Sequence, residues 1–139
     1  MLKPKFINIL FYFIVKYILF FVLLAFIGNR FKKIVIENSD TNSELLSNIL
    51  YYSVYPAIIL CVFTVTFSIP LYFLMKMKRP APFVLFYFLL LIIEYFSYTY
   101  LASPSDFKNG FYNMIIGVSL LFLFFYKYLK LWLNPQIKF

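Results

Sequence analysis

Residues 83–101 read FVLFYFLLLIIEYFSYTYL, from Phe83 to Leu101, apolar but for one carboxylate at Glu94 and a few Ser, Thr and Tyr hydroxyls. As a helix rising 1.5 Å per residue, the stretch covers about 28 Å, close to the ~30 Å hydrocarbon core of a bilayer. The stretch is a transmembrane helix with a charge at its centre.

Composition extends that reading to the whole chain. Of 139 residues, 64% are hydrophobic and 13% charged, whereas a soluble domain carries roughly 25% charged residues. Three further spans emerge on either side of the first one. Residues 6–27 form an almost wholly apolar run behind a short basic leader. That run is too long for a signal peptide, and no small-x-small cleavage site follows it. Residues 56–75 and 111–129 supply the other two spans. The expected architecture is all-α: one membrane domain over 1–139, with four transmembrane helices and a short interfacial helix before the second.

The connections carry their own signals. Gly28 ends the first span, and the outer segment 28–55 opens with the one extended polar stretch, from Asn29 to Asn42. Within it Thr41 and Glu44 have the spacing of a capping box, in which hydroxyl and carboxylate satisfy free backbone N–H groups. A short helix is expected from about Asn42, with Tyr51, Tyr52 and Tyr55 at the membrane interface. Pro56, which lacks an N–H, is expected to kink or restart it. Pro70 frees another carbonyl, for which the hydroxyls of Thr66 or Ser68 are the nearest donors. The turn 76–82, with Lys76, Lys78 and Arg79, is short enough to make its flanking spans antiparallel neighbours. Pro104 and Gly110 break the third connection, Trp132 anchors the end of the last span, and Pro135 stops it.

The net charge is +8, but the basic residues cluster at the ends of apolar runs, where they act as topology signals and form no nucleic-acid-binding face. With both termini in the cytoplasm, the inner side carries Lys3, Lys5, Lys76, Lys78, Arg79, Lys127, Lys130 and Lys138. The outer side then carries Arg30, Lys32, Lys33 and Lys108. Eight against four places both termini inside and 28–55 outside.

Two charges remain within the spans. Lys16 lies ten residues past Phe6 and Glu94 eleven past Phe83, so both sit about 15 to 17 Å from the same boundary. A charge at a helix centre costs about 2.5 to 3.5 kcal/mol, and each Leu, Ile or Phe returns about 0.3 to 0.6. Both helices therefore insert, with their charges turned away from lipid. Equal depth and opposite sign predict a Lys16–Glu94 pair. Polar or small residues recur on one side of each span: Asn8 and Tyr12 with Lys16; Ser97 and Tyr98 with Glu94; Cys61, Thr64 and Ser68 on the second; Asn113 and Gly117 on the fourth. These stripes are expected to face inward or toward a partner.

Chemistry beyond that is sparse. Cys61 has no histidine anywhere in the chain to activate it, and reads as a small apolar residue in a helix interface. Without histidine the usual metal and haem ligands are missing, and no glycine-rich phosphate cradle is present. No catalytic site and no cofactor is expected. With three glycines and no G-x-x-x-G, close backbone approach is not expected to dominate packing.

By architecture the chain resembles the small, basic, four-span inner-membrane proteins that confer immunity to pore-forming bacteriocins. It also resembles membrane subunits of multi-protein bacterial systems, phage defence among them. That resemblance implies a bacterial cytoplasmic membrane, other membrane subunits or further copies of the chain as partners, and a non-enzymatic role. The alternative is a small oligomeric ion channel or transporter built around Glu94 and Lys16.

Overall fold

The computed structural model describes residues 3–26, 29–77, 79–101 and 107–133. The fold has four long helices, α1 (Phe6–Phe26), α2 (Asn42–Leu74), α3 (Pro80–Leu101) and α4 (Phe107–Leu133), with a π-helical turn, π1 (Lys32–Ile36), between α1 and α2. All four are long and apolar enough to cross a membrane. The chain is a multi-pass membrane protein built as a helical bundle.

Neighbours in sequence are neighbours in space. α1 packs on α2 and α4, and α3 packs on α4 and α2, which leaves α1 and α3 on opposite corners. The core is drawn from each helix: Ile9, Phe13 and Phe20 from α1, Phe63, Phe67 and Leu71 from α2, Phe83, Leu90 and Tyr98 from α3, and Leu121, Phe125 and Leu129 from α4. Their outward faces carry exposed Ile, Leu, Val and Phe, such as Ile7, Val62, Val84 and Leu123. In water such a surface would drive aggregation; in a bilayer it is the ordinary lipid contact.

The helix beginning at Asn42 is capped as its sequence requires. Thr41 Oγ1 accepts from the Glu44 N–H at 3.3 Å, and Glu44 Oε2 accepts from the N–H groups of Thr41 at 3.3 Å and Asp40 at 3.0 Å. Pro56 does not restart the helix. α2 runs on for 33 residues through both Pro56 and Pro70, about 50 Å and well beyond a hydrocarbon core. A proline deletes one helical hydrogen bond without forbidding the turn, and membrane helices tolerate this when neighbours pack around the defect. The short helix before the second span is instead π1, closed by the Glu37 N–H donating to Lys32 O at 3.0 Å.

Near Pro70 the expected donors are not engaged. Ser68 Oγ is buried and makes no hydrogen bond among the described residues, while Thr66 faces outward. Cys61 is likewise exposed on the bundle exterior, not buried in an interface: it sits next to Leu60 on the side of α2 away from Phe63 and Phe67. Gly28, Lys78, Pro104, Pro135 and Lys138, and the side chain of Trp132, lie outside the described residues.

Candidate functional site

The inward face of α1 is set by spacing. Ile9, Tyr12, Phe13, Lys16, Tyr17 and Phe20 fall three or four apart in two adjacent rows and are all buried. From the opposite corner α3 directs Glu94 toward the same level. Lys16 is 0% exposed and Glu94 2%, and Lys16 Nζ lies 2.5 Å from Glu94 Oε1. The ion pair thus crosses the diagonal of the bundle and links two helices on opposite corners.

Three donors converge on that one carboxylate oxygen. Besides Lys16, the Tyr17 hydroxyl donates to Oε1 at 2.6 Å and Asn113 Nδ2 at 3.2 Å. The ammonium also lies 5.5 Å from the Phe13 ring centre and 5.4 Å from that of Tyr17, where the electron-rich ring faces attract a cation. A lone buried charge would be strongly disfavoured, and a pair offsets its desolvation only with good geometry and added hydrogen bonds. Both conditions hold here, with groups from α1, α3 and α4.

α4 makes the space. Its inward positions are small in the first half, Asn109, Gly110, Asn113 and Gly117, and large in the second, Leu121, Phe125 and Leu129. A methyl group at Gly117 would stand 2.8 Å from Lys16 Cε and Nζ; one at Gly110 would stand 2.7 Å from the Tyr95 ring. Tyr12 fastens the same turn by donating to Gly117 O at 2.8 Å. Two of the three glycines thus serve close approach, by side chains of other helices and not by their backbones. That use has no G-x-x-x-G signature.

The structure brings Lys16, Glu94 and Asn113 together and sets Tyr12 one helical turn away. Tyr98 is buried one turn beyond Glu94, edge-on to Phe20 at 5.0 Å. Thr64 and Ser68 are buried, yet their hydroxyls, with that of Thr99 and the Asn113 carbonyl oxygen, find no partner among the described residues. Ser97 is half-buried, and Asn8 turns away to donate to Lys3 O at 2.8 Å. The direct contact that sequence reasoning missed is Tyr17. It sits one residue past Lys16, and an inward face broad enough for two rows admits both. In the 76–82 turn, Lys76 Nζ lies 4.2 Å over the Tyr72 ring and Arg79 is exposed.

No family model, no curated protein and no solved structure matches the chain. Among the described residues no cluster of His, Cys, Asp and Glu could hold a metal ion. The arrangement suits cohesion: two opposite charges, fully enclosed, each held by groups from other helices.

Proposed function

We propose that this chain is a non-enzymatic subunit or binding partner of a larger complex in a bacterial cytoplasmic membrane, in an immunity or defence role, with both termini cytoplasmic. The observation that carries the reading is the enclosure of Lys16 and Glu94. A site that conducts an ion or binds a substrate must meet water or its ligand at some stage, and these charges are spent on one another inside a single chain. Function then falls to the surface. There the connection between α1 and α2, described over 29–41, is the most elaborate feature, longer than the 2 to 8 residues that usually join bundle helices.

That segment is folded. Val35 is fully buried, Ser39 Oγ donates to Val35 O at 2.5 Å, and Asn48 Nδ2 donates to Asn38 O and Ser39 Oγ at 3.2 and 3.0 Å. Lys33, Glu37, Asn38 and Asp40 remain exposed on it. A folded loop with an exposed charged side is the usual form of a recognition surface on a rigid scaffold. Reversing the charge of Lys33 and Asp40 together should leave bundle stability unchanged and abolish co-purification with the partner from mildly solubilised membranes. Undiminished co-purification would move recognition elsewhere and defeat the proposal. A channel or transporter reading requires Glu94-dependent ion flux in liposomes, and the enclosed pair argues for none.

A further inference from the structure

Where π1, α2, α1 and α3 meet, a cleft of about 250 Å³ opens at the end of the bundle. Its walls are graded. Phe21, Leu24, Ile59 and Tyr98 line it with apolar surface, and Arg30, Tyr51, Tyr52 and Tyr55 add the polar groups. Phe21 lies five residues inside the end of α1, about 7 Å below it. The cleft therefore begins near headgroup level and descends among hydrocarbon. Pro56 also lines it, and because proline has no N–H, the Tyr52 carbonyl lacks its helical donor.

Local packing holds Arg30 there. Asn29 takes a left-handed conformation, φ 53°, which turns the chain at the end of α1. Phe31 stacks on Phe26 at 6.4 Å and stands edge-on to Tyr52 at 5.7 Å. Arg30 and Tyr52 line the same cleft. A guanidinium carries several N–H donors in a fork matched to phosphate oxygens, so an intramolecular partner does not exhaust it. Two other grooves, between α1 and α2 and between α3 and α4, have no charged residue in their walls.

We propose that this cleft is a binding site for an anionic phospholipid of the surrounding bilayer, its phosphate on Arg30 and the tyrosine hydroxyls and one acyl chain along Phe21, Leu24 and Ile59. A membrane already supplies this amphiphile at the right depth, charged end outward, and the grading from guanidinium to hydrocarbon matches it. The site is independent of the partner reading above.

The test is retention of phosphatidylglycerol against phosphatidylcholine by the detergent-purified, delipidated full-length protein, read by native mass spectrometry. Wild type should retain one phosphatidylglycerol in preference to phosphatidylcholine. Arg30→Gln should lower that retention about tenfold, the effect of losing one charge-assisted hydrogen bond. Leu24→Trp, which fills the apolar wall and leaves Arg30 in place, should abolish retention of both lipids. Lys33→Gln removes an exposed charge three residues away and should leave lipid retention unchanged, and excess inorganic phosphate should not displace the lipid. Equal retention by wild type and Arg30→Gln, or an equal loss in Lys33→Gln, would overturn the proposal by showing no site or only diffuse surface charge. Displacement by inorganic phosphate would overturn it in favour of a free anion.

Discussion

At Gly117 the lack of a side chain decides whether Lys16 can lie where it does. The ammonium is tied to Glu94, so a methyl 2.8 Å from Cε and Nζ meets a group that cannot swing aside without breaking the pair. Gly117→Ala should destabilise the bundle by about 1 to 3 kcal/mol, the usual cost of overpacking, measured by equilibrium unfolding in detergent. In a Lys16→Ala background the same change should cost less than about 1 kcal/mol; an undiminished loss would show that the helix, not the lysine, resents the methyl. Tyr17 gives a second check. Tyr17→Phe removes a donor to a charged acceptor and should cost about 1.5 to 3 kcal/mol, while Ser97→Ala, which touches no part of the pair, should fall within about 0.5. The pair itself was legible in the sequence because depth is arithmetic: two charges at matched positions in parallel spans have one economical partner each. Tyr17 was hidden because thirteen tyrosines occur in the chain and most have an interfacial explanation that needs no partner.

Among the elements, α2 departs most from its expected form. The capping box was readable because Thr41 and Glu44 act through local geometry that any environment preserves. The continuity through Pro56 was not, because whether a helix survives the hydrogen bond that proline deletes depends on the groups packed around that turn. Here the flanking turns are fixed by Phe31 and π1 on one side and Ile59 on the other. π1 escaped notice for a related reason: a charged stretch such as RFKKIVIEN has no helical stripe, and its fold depends on burying Val35 against α2. Thr41→Ala should cost about 1 kcal/mol and act locally. Amide exchange should accelerate at Ser43 to Leu45, with protection beyond Pro56 unchanged. Faster exchange along the whole of α2 would mean that the cap governs the span as well, and that the helix is less firmly held by its neighbours than its packing implies.

For the whole molecule, length, composition and turn spacing were enough to give the four-helix bundle, because a bilayer leaves so few ways to satisfy a backbone. Which helices would stand diagonally was not readable. It follows from each helix packing on its neighbour in sequence and α4 closing back on α1, and it is what makes the ion pair a brace across the centre. Orientation rests on the basic count. Cysteines at Asn38 and Met77 in a Cys61→Ala background should react with an impermeant thiol reagent from outside and from inside respectively, and the reverse pattern would invert the topology. The brace is tested most directly by a double-mutant cycle of Lys16→Leu and Glu94→Leu on bundle stability. Each single change leaves a buried charge uncompensated and should destabilise strongly. The double change should recover part of the loss, with a coupling of about 1 to 3 kcal/mol. Strictly additive losses would contradict a structural ion pair at the centre of this bundle.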